Sequence, residues 1–135
     1  MSFVLDTSTA MAWLFEDEGT PESEAALDRL GEEEALVPSL WPYEVANVLV
    51  AAERRKRISE AQTRQFLGLL KRLPIQVATN TPLQPWEGPL VVARGHRLSA
   101  YDGAYLDLAI REGLPLVTQD KGLRSAAEVA GVQID

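Results

Sequence analysis

The chain has 135 residues, enough for one domain with a sizeable core, and 46% hydrophobic with 24% charged residues is a globular balance. No apolar run reaches membrane-spanning length, the N-terminus lacks a basic-then-apolar leader, and there is no cysteine, which excludes a disulfide framework and a thiolate metal site. The expectation is a single domain, 1–135, in the cytoplasm and away from membranes.

The net charge of −7 hides a strong asymmetry. Residues 1–53 carry 12 acidic residues and one basic residue, a net of −11, whereas residues 54–135 carry 8 acidic and 12 basic residues, a net of +4. A local basic surface for nucleic acid is therefore available despite the overall sign. "ERRKR" (53–57) is its densest part, which makes Arg54, Arg55, Lys56 and Arg57 candidate phosphate contacts. A solvated helix end, where cations favour the dipole, accounts for them equally well.

In chain order, "SFVLD" reads as a first strand, followed by a helix in "STAMAWLF" that Thr7 or Ser8 can cap. Thr20 as cap and Pro21 at the first helical position open "TPESEAALDRL". "ALVP" (35–38) is a second strand. Pro42 then starts a helix with Glu44 in its first turn and an apolar stripe of Val45, Val48, Leu49 and Ala52. "SEAQ" (59–62) is a capping-box pattern ahead of Phe66, Leu69, Leu70 and Leu73, and "IQVA" (75–78) is a third strand.

Residues 80–89, with three prolines and a glycine, predict irregular structure, and Pro89 opens a helix through "LVVARGHR". Ser99 starts the next helix, with Tyr101, Ala104, Tyr105, Leu108 and Ala109 on one face and Gly113 as its stop. "LPLVT" (114–118) is a fourth strand, "DKGLRSAAEVAG" a helix and "VQI" a fifth strand. Strands alternating with helices imply right-handed crossovers and a three-layer α/β/α sandwich around a mainly parallel five-stranded sheet.

Four carboxylates fall at comparable element boundaries. Asp6 ends the first strand, Asp120 follows the fourth, and Glu44 and Asp102 lie in first turns of helices. The ends of parallel strands and the starts of the following helices share one rim of such a sheet, where ligands bind. Taken singly, each acid also reads as a helix cap or first-turn acid. Taken together they repel: two carboxylates about 5 Å apart oppose each other by roughly 3 kcal/mol at an effective dielectric near 20. A divalent cation relieves that repulsion, and hard oxygen ligands without histidine or cysteine suit Mg2+ or Mn2+. Asp107, five residues beyond Asp102, lies about 140° away around the helix and is read as a surface partner of Arg111.

Other chemistries are less well supplied. His96 is the only histidine, and there is no phosphate-binding P-loop or G-x-G-x-x-G fingerprint. Trp13, Trp41 and the tyrosines read as core or interface residues rather than stacking platforms. Only Trp86 is ambiguous.

The blocks "FVLDTSTAMAWLFEDE", "VPSLWPYEVANVL" and "LSAYDGAYLDLAIREGLPLVTQDKGL", in that order, resemble the PIN-domain family, and most closely its VapC-type toxin ribonucleases. The resemblance implies a magnesium- or manganese-dependent endoribonuclease whose acidic cluster maps onto Asp6, Glu44, Asp102 and Asp120. Thr118 and Ser8 match the family's hydroxyls beside the last and first acids, and the resemblance makes Arg54 to Arg57 candidate RNA contacts. It further implies a cognate VapB-type antitoxin and a homodimer. A non-catalytic PIN-like binding module, with the acids serving as caps, is the alternative.

Overall fold

The computed structural model describes residues 2–79 and 84–135. Four strands, β1 (Ser2–Leu5), β2 (Glu34–Val37), β3 (Ile75–Val77) and β4 (Leu116–Val117), form a wholly parallel sheet in the order β3-β2-β1-β4. Phe3, Val4 and Leu5 are fully buried, as a central parallel strand covered on both faces requires.

Between the strands run α1 (Thr7–Met11), α2 (Pro21–Arg29), α3 (Trp41–Arg54), α4 (Glu60–Arg72), α5 (Glu87–His96) and α6 (Ala100–Glu112), and α7 (Lys121–Val129) follows β4. The chain steps outward from β1 to β2 to β3, then returns past β1 to β4. With right-handed crossovers this reversal places α1–α4 on one face and α5–α7 on the other. The contacts agree, since α1 packs on α2 and α3 while α6 packs on α5 and α7. The reversal also creates a switch point between β1 and β4, the place where a parallel sheet opens a crevice at its C-terminal edge.

The caps follow the sequence. Thr20 and Ser23 form a capping box on α2, Ser59 and Gln62 another on α4, and Ser99 accepts from the Asp102 N–H on α6. Gly113 takes φ +65° as the left-handed stop of α6. The start of α5 differs: it begins at Glu87, with Pro89 inside its first turn, and residues 80–83 of the expected irregular stretch lie outside the described residues.

The expected fifth strand is reduced to one parallel bridge between Leu116 and Ile134. Leu116 donates to Gln133 and accepts from Asp135, but its neighbours on that edge are engaged elsewhere. The Leu114 N–H bonds to Ala109, and the Thr118 carbonyl accepts from Arg124 at 3.0 Å. No ladder can extend from a single available residue. Among the described residues, no helix is long and apolar enough to cross a membrane.

α5 and α6 approach closely at Gly103, where an added Cβ would stand 2.8 Å from the Pro89 carbonyl oxygen and 3.3 Å from the Ala93 methyl. A backbone atom cannot swing aside. Gly103→Ala should therefore destabilise the fold by about 1–3 kcal/mol despite alanine's higher helix propensity, and urea unfolding will measure it. A stability equal to or above the parent's would show that the helices can separate freely.

Candidate active site

Asp6 directly follows β1, and its N–H still donates to the Val117 carbonyl at 3.0 Å, so the backbone stays in the sheet while the side chain reaches the rim. It occupies the cap position of α1 but makes no side-chain cap bond, and neither Thr7 nor Ser8 takes that role. Instead the Ser8 and Thr118 hydroxyls both donate to Asp6 Oδ2, each at 2.7 Å. The direction of these bonds is fixed from behind. Ser8 Oγ accepts from the Gln119 N–H at 3.1 Å and Thr118 Oγ1 accepts from the Asp120 N–H at 3.0 Å, leaving each hydroxyl proton for Asp6. Asp6 is only 5% exposed. Burial pushes its carboxyl above the ordinary carboxylate range, the two hydroxyls pull it back, and Glu44 adds a further upward push.

Glu44 enters from the first turn of α3. Its Oε1 accepts from the Tyr105 hydroxyl at 2.6 Å and from Thr7 Oγ1 at 3.0 Å, and those two hydroxyl oxygens stand 2.6 Å apart. Tyr105 is fully buried, and burial followed by its bond to Glu44 raises the phenol far above its usual range. It is a neutral donor under all ordinary conditions.

Asp102, in the first turn of α6, lies near all three other acids. Its carboxyl is pushed up to about 6, first by burial, then by the charges of Asp6, Asp120 and Glu44. Asp102 is thus within electrostatic reach of the other three acids, and Asp6 of Glu44. Asp6, Glu44 and Asp102 line one cleft of about 420 Å³, whereas Asp120 stands beside it and caps α7 by accepting from the Leu123 N–H at 2.8 Å. Among the described residues, no three acidic or histidine side chains form a ready-made ligand group, and no ion pair involves any of the four acids, although the Arg57–Glu18 pair lines the same cleft. The donor set still fits a hard divalent cation: four carboxylates, two of them held above their ordinary range, with no basic side chain paired to them among the described residues.

The PIN-domain pattern matches residues 3–129 of the sequence. The chain belongs to the PIN-domain family. It is 28% identical over 123 residues to Ribonuclease VapC3 of Pyrobaculum aerophilum, covering 91% of this chain and 92% of the relative. In fold it is similar to the PAE2754 crystal structure, also from Pyrobaculum aerophilum, with a TM-score of 0.74 at 22% identity over 99% of this chain and 89% of the other. It is also similar to VapBC2 of Rickettsia felis bound to a promoter DNA fragment, with a TM-score of 0.68 at 11% identity over 100% and 98% of the two chains.

Two residues that hold Glu44 in this PIN domain, Thr7 in the cleft and Tyr105 buried behind it, are not among the site residues expected from the sequence. The sequence suggests a capping role for Thr7 or Ser8 and places Tyr105 on one face of its helix. The signal for Tyr105 was available, because it sits one turn beyond Asp102 and a buried tyrosine hydroxyl needs a partner. Asp107 also departs from expectation. It does pair with Arg111 at 2.9 Å, but it is only 7% exposed rather than a surface residue. Its carboxylate packs against Gly88, where an added Cβ would meet it at 2.4 Å, because α5 folds over that side of α6.

Of the basic segment, Arg55 and Arg57 line the acidic cleft. The helix ends in a left-handed turn, with Lys56 at φ +61° and the Arg57 N–H returning to the Ala52 carbonyl at 2.9 Å. That turn brings the Arg57 guanidinium over the Phe15 ring at 4.1 Å and against Asp17 and Glu18 at 2.9 and 3.2 Å. His96, at the end of α5, takes no place in the cleft.

The raised Asp102 carboxyl gives a pH signature. Because its folded value of about 6 exceeds the ordinary 3.8, the folded state holds more proton in that interval, and stability falls as pH rises through it. In metal-free buffer Asp102→Asn should therefore melt above the parent at about pH 8 and level with it near about pH 4. Thermal melts at the two pH values check this. A variant melting lower at the higher pH would make the carboxylate a net stabilising first-turn charge.

Proposed function

We propose that this protein is a metal-dependent endoribonuclease acting as the toxin of a VapBC-type pair. The observation that carries the reading is the gathering of Asp6, Glu44, Asp102 and Asp120 at the switch point of a PIN fold, where burial and then the charges of its three neighbours raise Asp102. Sequence similarity to a ribonuclease along nearly the whole chain supports the activity. Likeness in fold to a chain solved as part of a VapBC complex supports the antitoxin partner.

Asp6 and Asp102 would hold Mg2+ or Mn2+, with Glu44 and Asp120 completing the set or orienting water. The bound cation would lower the pKa of a coordinated water and offset charge developing on the scissile phosphate. The residues around the acids do the positioning. Ser8 and Thr118 hold one Asp6 oxygen, and Thr7 with Tyr105 holds one Glu44 oxygen, so the free rotation of both carboxylates is removed before substrate arrives. The proposed reaction is hydrolysis with water rather than the ribose 2′-hydroxyl as nucleophile, leaving a 5′-phosphate and a 3′-hydroxyl.

An acidic cleft repels RNA, and the arginines at its other end counter this. Arg55 and Arg57 line the cleft and would take backbone phosphates on one side of the cut, while Arg54 and Lys56 add to the field from the adjoining turn. For the antitoxin, the apolar cleft of about 320 Å³ between α3 and α4 offers Trp41, Val45, Leu49 and Leu70. Exposed Trp86, Leu90 and Val91 along α5 provide apolar surface for a homodimer.

Incubation with total RNA in magnesium or manganese, followed by end mapping, tests the activity. The parent should cut at defined sites, EDTA should stop it, and Asp6→Asn should reduce it to background. Undiminished cutting by Asp6→Asn would sink the mechanism, and a parent that neither cuts RNA nor binds manganese would leave the non-catalytic module.

The arginines are tested by salt. Arg55→Ala and Arg57→Ala should each weaken RNA binding and flatten the plot of log affinity against log salt by about 0.7 per lost phosphate contact. Unchanged slopes would place the RNA path elsewhere.

A further inference from the structure

Two tyrosines flank the acids and are not packed. Tyr43 immediately precedes Glu44 on α3 and is 78% exposed, and Tyr101 immediately precedes Asp102 on α6 and is 66% exposed. Of the three tyrosines, expected to be core or interface residues, Tyr105 alone is in the core. The site-facing side of α6 passes through Asp102 and Tyr105, which leaves Tyr101 turned outward at the rim. Neither exposed phenol has a hydrogen-bond partner among the described residues, so no internal bond accounts for their position.

Their setting is specific. Leu40, Tyr43, Glu44, Asn47 and Tyr101 line a cleft of about 310 Å³, distinct from the acidic cleft but sharing Glu44 and Asn47 with it. Tyr43 and Asn47 lie one turn apart on the same face of α3. A ring placed in this cleft lies beside two phenol side chains and one amide that can both donate and accept. A phosphate lying among the acids would therefore have, next to it, a mixed aromatic and amide pocket of the kind that receives a base. An apolar protein-docking surface would be expected to continue across neighbouring apolar residues. On its far side this cleft does reach apolar residues, since Leu40 and Tyr101 also line a neighbouring cleft with Pro38, Pro85 and Pro89, but on its near side it opens through Glu44 and Asn47 onto the acidic cleft, where a phosphate and its adjoining base would lie together.

We propose that the cleft between Tyr43 and Tyr101 is a nucleobase-stacking subsite that takes one unpaired base of the RNA beside the scissile phosphate, with Asn47 contacting the base edge. The inference rests on the ribonuclease reading and deepens it, since it requires a substrate that is single-stranded at the cut. Double-helical RNA keeps its bases stacked inward, whereas unpaired bases splay onto aromatic side chains. Stacking of this kind is tolerant of base identity, and Asn47 supplies the only preference.

The test uses short single-stranded oligoribonucleotides of mixed sequence carrying 2-aminopurine at successive positions, bound in magnesium by the Asp6→Asn protein. Stacking should quench the fluorescence at one position adjoining the mapped cut. Adding Tyr43→Ala or Tyr101→Ala should weaken binding about tenfold and remove the quench, while Tyr→Phe at either position keeps both, because the ring and not the hydroxyl does the stacking. In the cleavage-competent protein the alanine variants should raise KM by a similar factor with little change in kcat, at an unaltered melting temperature.

Equal affinity and quench in the alanine variants overturns the subsite, as does a phenylalanine variant that fails like alanine. Alanine variants that bind RNA normally but lose self-association or antitoxin binding assign the tyrosines to a protein interface and overturn it too. A parent that cuts RNA without quenching any position removes the subsite and leaves the ribonuclease standing. A parent that neither cuts nor binds RNA removes both.

Discussion

The structure is organised around one electrostatic conflict. A parallel sheet delivers the ends of its strands and the starts of the next helices to a common rim, and in this chain those positions are acidic. The fold gathers negative charge at the switch point between β1 and β4, where Asp6 is nearly inaccessible to water. Burial and like charge both favour the protonated carboxyl there, and Asp102 registers the effect of all three neighbours. The surrounding elements are arranged so that this concentration is tolerated and held in place.

Hydroxyl groups do most of that holding. Ser8 and Thr118 come from opposite ends of the sequence yet converge on one Asp6 oxygen, because β1 and β4 are paired neighbours. Backbone N–H groups at Gln119 and Asp120 occupy the acceptor side of each hydroxyl, so the polarity of the arrangement is set by the chain turning from β4 into α7. Thr7 and Tyr105 play the same part for Glu44, linking the starts of α1 and α3 to the buried face of α6. The network therefore ties together elements from both faces of the sheet at the one place where they meet.

Beyond the acids the cleft changes character in two directions. Towards the α3–α4 turn it becomes basic, with Arg57 fixed by Phe15, Asp17 and Glu18 rather than left to wander in solvent. A non-glycine residue at positive φ, Lys56, is accepted in the turn that places it, a strain of about 1–2 kcal/mol that the helix-ending hydrogen bonds offset. Towards Tyr43 and Tyr101 the cleft becomes aromatic. In a chain of net charge −7 the negative charge of the cleft is therefore not uniform along its length.

Sequence by itself determined the parts of this protein that depend on local rules. The apolar run of β1, the Thr20 cap, the capping box at Ser59, the Ser99 cap and the Gly113 stop each follow from a few adjacent residues, and so they were legible. The candidate acids were legible for a related reason: alternation of strands and helices fixes which boundaries share a rim, whatever the details of packing. Only the tertiary structure decided which of these groups touch. It buried Asp107 under α5, shortened the last strand to a bridge, turned Tyr101 outward while burying Tyr105, and selected Arg55 and Arg57 from a run of four basic residues. Each of those outcomes depends on partners distant in the chain, and periodicity within one element cannot specify what the opposite element brings against it.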